Sequence, residues 1–322
     1  MKSVQGWYGK MRSAPVPFLL LAVLAVAALA LPAALSAADN SVAVLLSGAG
    51  APYEETLAGL QRHLKDKGVK ANLAVHQLHA DAAKAAEAVK DIRKKAPRLI
   101  VTIGSLAMES VLNESSDTPV VAAMILKADA VLKAPNATAV VLQIPMATQL
   151  RWIRKILPKA AAVGVVFNPA ENQEMVDIVL HAGKRAGLRI EAEPVRSPAE
   201  IAAALDRLSK KVDVLWGIAD SMVLTPQTAK SILLFSVKNK IPLIGPSSAW
   251  VKAGALYSLD WDFADMGEQC GEVVARILQG TRAVAIPVAL PRKIFLSVNR
   301  RTADDMSLHL DESVYEEART VY

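Results

Sequence analysis

The ten residues AVGVVFNPAE, from Ala162 to Glu171, decide how this chain folds. Ala162–Phe167 is an almost unbroken apolar run, the pattern of a strand buried on both faces, as in a parallel sheet. Asn168-Pro169-Ala170-Glu171 then supplies a capping side chain, a proline suited to the first helical position and an acid three residues after the cap. A strand that passes straight into a well-specified helix is one βα unit.

The same unit recurs in both directions. Upstream, Val42–Ser47 reads as a strand, and Tyr53–Lys67 as an amphipathic helix with Leu57, Leu60 and Leu64 on one face. Val69–Val75 and Leu99–Ile103 read as strands on either side of helix Asp81–Lys95. Helix Ser105–Asn113, strand Pro119–Ile125 and a crossover strand Val140–Ile144 complete this series, and helix Gln149–Ile156 opens the next. Downstream come helix Glu171–Ala186, strand Arg189–Ala192, helix Pro198–Leu208, strand Val212–Trp216, helix Pro226–Lys238 and strand Pro242–Ile244. Two consecutive β-α series predict an α/β protein with two Rossmann-like lobes, each built on a parallel sheet covered by helices. In such sheets the strand-to-helix loops gather at the carboxyl edge, where ligands bind. Helix starts there offer free N–H groups to an anion. Ser197-Pro198-Ala199-Glu200, Thr225-Pro226 after the polar pair Asp220-Ser221, and the glycine turn Gly104-Ser105 are the other marked helix starts.

The amino-terminal segment has its own reading. Lys2, Lys10 and Arg12 precede an apolar run from Phe18 to Leu31, then Pro32 and the small residues Ala33 to Ala38. Basic, apolar, then small is the order of a secretory signal, with cleavage expected before Asp39. The alternative is an uncleaved membrane anchor, since Phe18–Leu35 approaches the ~20 residues of a bilayer span. Either way the remainder is expected outside the cytoplasm. No Cys follows the small residues to take a lipid, and Cys270, the only cysteine, excludes an intrachain disulfide. Removing the three leader cations from 37 leaves 34 basic against 31 acidic residues, interspersed along the chain, which gives no support to a nucleic-acid partner.

Catalytic and metal patterns are missing. His76 and His79 fall at a strand end, where residues three apart point to opposite faces, and there is no CxxC, HExxH or EF-hand loop. Ser47-Gly48-Ala49-Gly50-Ala51-Pro52 places Tyr53 where a dinucleotide fingerprint needs its third glycine, so it reads as a turn lining the cleft. Cys270 sits at helical spacing with Val273, Val274 and Ile277 and reads as packing. Trp216 reads as core or cleft wall, while Trp250 and Trp261 are suited equally to covering a ligand or to packing between lobes.

Several stretches in order resemble the substrate-binding proteins of ABC transporters with a type I periplasmic fold, the group that includes tryptophan-binding members. They are Leu99–Glu109 (LIVTIGSLAME), Thr118–Met124 (TPVVAAM), Lys159–Pro169, Val212–Asp220, Ile241–Ser247, Val251–Leu256 (VKAGAL) and Asp262–Gly280. The resemblance implies two lobes joined by a hinge, with 39–143 and 261–283 in the first and 144–260 and 284–322 in the second. It implies a periplasmic, monomeric receptor, without cofactor, metal or catalysis, that closes on a small ligand of the amino-acid-like kind and delivers it to a membrane permease. Cleft positions carry over to Ser47, Ser105, Asn168, Glu171, Asp220 with the adjacent Ser221, Ser247 and Asp262. In this mapping Ser105 holds an anionic group and Asp220 pairs with a ligand ammonium. The chain departs from the family where Thr-Asp-Pro is common and it has Ile125-Leu126-Lys127, where Ala-Asn-Ser becomes Asn172-Gln173-Glu174, and where Thr-Asp-Asn becomes Ala219-Asp220-Ser221. Some polar hooks of an amino-acid binder are therefore missing, and Lys127 adds a charge. A ligand-sensing subunit of a signalling receptor and an exported enzyme on the same scaffold are the alternative functions.

Overall fold

The computed structural model describes residues 40–114 and 117–322, so the expected signal segment lies outside the described residues. Asn40–Tyr322 form one compact unit with two sheets, each sandwiched between helices. The first series is β1 (Ser41–Leu46), α1 (Ala51–Asp66), β2 (Asn72–Gln77), α2 (Ala82–Lys95), β3 (Leu99–Ile103), α3 (Ser105–Leu112), β4 (Val120–Ile125), α4 (Asp129–Lys133) and β5 (Ala137–Val141). The second runs α5 (Met146–Ile156), β6 (Ala162–Phe167), α6 (Pro169–Arg185), β7 (Arg189–Pro194), α7 (Ile201–Leu208), β8 (Val214–Trp216), α8 (Pro226–Asn239), β9 (Leu243–Ile244), α9 (Ser248–Ala253) and β10 (Tyr257–Trp261). Helix α10 (Phe263–Leu278) follows, then β11 (Ile294–Val298), α11 (Arg300–Asp305), α12 (Glu312–Glu317) and β12 (Ala318–Val321).

The first sheet has the order β2-β1-β3-β4-β5 and is parallel throughout. Alternate residues of its strands enter two cores, as a period of two requires. Val42, Val44, Leu46, Val101 and Ile103 pack with α1 and α10. Ala43, Leu45, Ile100 and Ala122 pack with α2 and α3. The second sheet, β12-β11-β10-β9-β8-β6-β7, is parallel except where β10 meets β11. Strand β6 divides its side chains likewise, Val163, Val165 and Phe167 to one core and Ala162 and Val166 to the other.

The chain passes between the sheets at three points: Leu142–Pro145, the step from Trp261 into α10, and the segment after Ala289. Helix α10 packs on the first sheet, and glycines let it lie against α1 backbone to backbone. A Cβ added to Gly267 would stand 2.0 Å from the Thr56 carbonyl oxygen, and one added to Gly59 would stand 2.0 Å from that of Ala264. Cys270 is fully buried in this interface, and burial pushes its thiol up to about 12.

Several local readings shift in the fold. Strand β2 starts at Asn72 rather than Val69, because Val69 N–H closes the end of α1 on the Leu64 carbonyl, 2.8 Å away. The apolar run expected to be one crossover strand serves both lobes: Ala137–Val141 pairs in the first sheet, and Ile144 enters the core of the second. Contacts with the first sheet also run on past residue 283. Ile286 packs in the first core, and Ala289 hydrogen-bonds to Ala139 O (2.8 Å) and Val141 N (3.0 Å).

Candidate functional site

Both carboxyl edges border the crossing. The chain leaves the first sheet from the carboxyl end of β5 and returns to it from the carboxyl end of β10. Trp261, the last residue of β10, packs against the cores of both lobes. The loops at these two edges therefore form the candidate site, which is where open parallel sheets bind ligands.

At the first edge, backbone does most of the shaping. Ser47 is buried; its N–H donates to Ile103 O (2.8 Å), and its hydroxyl accepts from Ala107 N–H (2.9 Å) inside the first turn of α3. Gly104 has φ +97°, and a Cβ there would lie 2.6 Å from Ser47 Oγ. The Tyr53 ring rests on both glycine turns, 2.8 Å from a Cβ added at Gly48 and 3.1 Å from one added at Gly104. Ser47 is thus committed to holding the turn, whereas Ser105 is exposed and its hydroxyl makes no hydrogen bond among the described residues. Ser47 takes Ala107 N–H and the Gly104 carbonyl takes Met108 N–H, leaving the N–H groups of Ser105 and Leu106 at the start of α3 without a partner among the described residues. Strand β4 ends in a bulge at Met124, whose φ is +56° and whose Sδ lies 3.1 Å from Thr56 Oγ1. Beyond it Leu126 and Lys127 stand exposed on the same edge.

At the second edge, carboxylates do the shaping. Asp220 is only 5% exposed. Its Oδ2 accepts from Asn168 N–H (2.8 Å) and Asn172 Nδ2 (2.9 Å), and its Oδ1 from Met222 N–H (3.0 Å) and Val223 N–H (2.9 Å). Burial alone would raise this carboxyl, but the donors from Asn168, Val223, Asn172 and Met222 outweigh it and hold the group below the usual carboxylate range. A carboxylate has about four lone-pair sites, and all are taken. Asp220, mapped as the partner of a ligand ammonium, ties the β6–α6 loop to the β8–α8 loop.

Glu171 extends that tie. Its position three residues after the cap suggests a reciprocal capping box, yet it reaches across to Ser221, accepting from the N–H (3.0 Å) and the hydroxyl (2.8 Å). Asn168 caps α6 through Ala170 N–H at 3.1 Å. Asn172, marked in the sequence only as a departure from the family's Ala-Asn-Ser, donates to Ala219 O (3.1 Å) as well as to Asp220. Its one available signal is its place one helical turn after Asn168. Asp262 caps α10 through Asp265 N–H at 2.9 Å. Ser247 precedes α9 without a capping hydrogen bond, half-buried. The indole N–H of Trp261 is buried without a partner among the described residues. Trp216 is core, and Trp250, within α9, packs against the second core of that lobe.

The structure therefore joins Asn168, Glu171, Asp220 and Ser221 in one network, and Ser47 with the turn that carries Ser105. The model for the family described as ABC transporter substrate binding protein matches residues 41–322. The chain belongs to that family. Among curated relatives of this family member, a tyrosine-binding protein of Clostridioides difficile is 26% identical over 155 residues. That alignment takes in 48% of this chain and 44% of the relative, so the chain spans less than half the relative's length. Among solved structures, the ABC domain from Streptococcus pneumonia in complex with L-Trp is 23% identical, with 88% of this chain and 100% of that one covered and a TM-score of 0.66. The ligand-free, open structure of a substrate binding protein with adhesive properties from Clostridium difficile is 19% identical, covers 88% of this chain and 99% of its own, and has a TM-score of 0.78. These likenesses show the fold, a type I periplasmic binding protein fold.

Proposed function

We propose that this substrate-binding protein is a non-enzymatic receptor, exported to the periplasm, that closes its two lobes on a small amino-acid-like ligand and delivers it to the permease of an ABC transporter. One observation carries this reading: both carboxyl edges border the same crossing, and hydrogen-bond donors remain open there. The Ser105 hydroxyl and the first N–H groups of α3 suit a carboxylate. The buried Trp261 N–H is a further donor in need of an acceptor. The Trp-bound neighbour and the tyrosine-binding relative support an amino acid as the ligand class. Ser105 and Trp261 are the proposed contacts, with Ser247 at the opposite edge. Asn168, Glu171, Asp220, Ser221 and Asp262 hold the second-lobe loops in shape.

Calorimetry of residues 40–322 with the twenty amino acids tests the proposal. Saturable 1:1 binding of at least one, weakened by Ser105→Ala, is expected. No binding by any of them would refute an amino-acid ligand.

A further inference from the structure

The third passage between the lobes is held by side chains of helix α10. Helix α10 turns two faces to its surroundings. One is apolar and packs on the first sheet through Met266, Cys270, Val273, Val274 and Ile277. The other carries Asp262, Asp265, Gln269 and Glu272, spaced three, four and three residues apart, which aligns them along one side of a helix. Asp265 and Gln269 are buried, at 4% and 7% exposure. Buried polar side chains need partners, and the partners here lie in the passing segment Ala289–Lys293.

Gln269 grips the backbone of that segment with both ends of its amide. Its Nε2 donates to Leu290 O at 3.0 Å, and its Oε1 accepts from Arg292 N–H at 3.1 Å. The Arg292 guanidinium donates to both oxygens of Asp265 (3.1 and 3.3 Å) and to Glu272 (2.6 Å). Lys293 adds an ion pair to Asp265 at 3.3 Å. The segment is also tied to the other two passages. Ala289 hydrogen-bonds to the end of β5, and the Lys293 carbonyl accepts from Asp262 N–H at 3.3 Å. The charged heads border an open cavity of about 630 Å³, shared with His63, Asp66 and Lys67, where water screens them. The amide grip of Gln269 is interior and is not screened in this way.

We propose that Ala289–Lys293 is a strap belonging to the first lobe, and that Gln269, supported by Asp265, fixes the pivot of lobe movement at the step from Lys293 into β11. Gln269 and Asp265 are positioning residues: they touch no ligand but set where the chain bends. The inference rests on the two-lobed receptor reading only in supposing that the lobes move, and its test needs no ligand.

The test attaches nitroxide labels to cysteines introduced at Lys90 and Lys184, exposed positions on α2 and α6, in residues 40–322. Cys270 is fully buried and escapes labelling. Hydrogen exchange at the Arg292 amide and the inter-lobe distance distribution are measured in the unsubstituted protein, in Gln269→Leu and in the pair Asp265→Asn with Arg292→Met. Gln269→Leu is expected to speed Arg292 exchange roughly tenfold, the loss of one protecting hydrogen bond, and to broaden the distance distribution. The charge-free pair is expected to broaden it less. Slow exchange at Val274 in α10 shows that each variant is folded, and the pair serves if Gln269→Leu is not. A distribution unchanged in the folded variants overturns the proposal, whether or not the Arg292 amide is freed. Absence of amino-acid binding would refute the amino-acid ligand without touching this result.

Discussion

The two carboxyl edges use polar residues in opposite ways. At the second, four donors converge on Asp220 and two on Glu171. At the first, two glycine turns and the Tyr53 ring set the shape, and the Ser105 hydroxyl is left open. The comparison teaches that a polar residue in a binding-edge loop is not thereby a ligand contact. Its hydrogen-bond capacity has first to be counted against its neighbours, and only what remains is available to a ligand.

The contrast can be broken most directly at Asp220. Replacement by Ala strands three backbone N–H groups and one N–H of the Asn172 amide, and should lower the urea-unfolding free energy by about 4 kcal/mol, since each buried orphan costs roughly 1–3 kcal/mol. A variant that kept its stability and lost only ligand binding would return Asp220 to the ligand. Gly104→Ala is next: positive φ and the contact with Ser47 together should cost about 3 kcal/mol in the same measurement.

Acid titration sharpens the comparison. The Asp220 carboxyl lies below its ordinary value in the folded state, so its stabilisation is complete above the unfolded value near 4 and falls away as pH drops through the lower folded value. Asp220→Asn should therefore show a flatter loss of stability below about pH 4; an unchanged acid limb would mean that the charge contributes nothing. Glu171→Gln weakens a more exposed link and should cost about 1 kcal/mol in thermal unfolding. Smallest for stability is Ser105→Ala, expected within about 0.5 kcal/mol of the parent. Calorimetry should nonetheless show its amino-acid affinity reduced about tenfold, the loss of one hydrogen bond to a charged group.

Much of this architecture was legible in the residues. Ala162–Phe167 was readable to the residue because a strand buried on both faces has no polar positions to blur its ends. Thr225 and Asn168 were readable as caps because capping is local chemistry between residues two or three apart. Glu171 had the same local signal but a better partner fifty positions away in Ser221. Tyr53 stood out only as an interruption of a glycine pattern, and the space it fills belongs to two turns distant in sequence.

The sequence by itself determined the α/β alternation, the caps at Asn168 and Thr225, the apolar faces and the loops that collect at the carboxyl edges. These follow from periodicity and from bonds between near neighbours, which the order of residues contains. Only the tertiary structure decided which polar groups are satisfied. It closed Asp220 within its own lobe, committed Ser47 to α3, gave Gln269 a strap to grip, and left Ser105 and the Trp261 N–H open. Hydrogen-bond capacity is fixed by residue type, but its use depends on which distant segments the fold brings within about 3 Å.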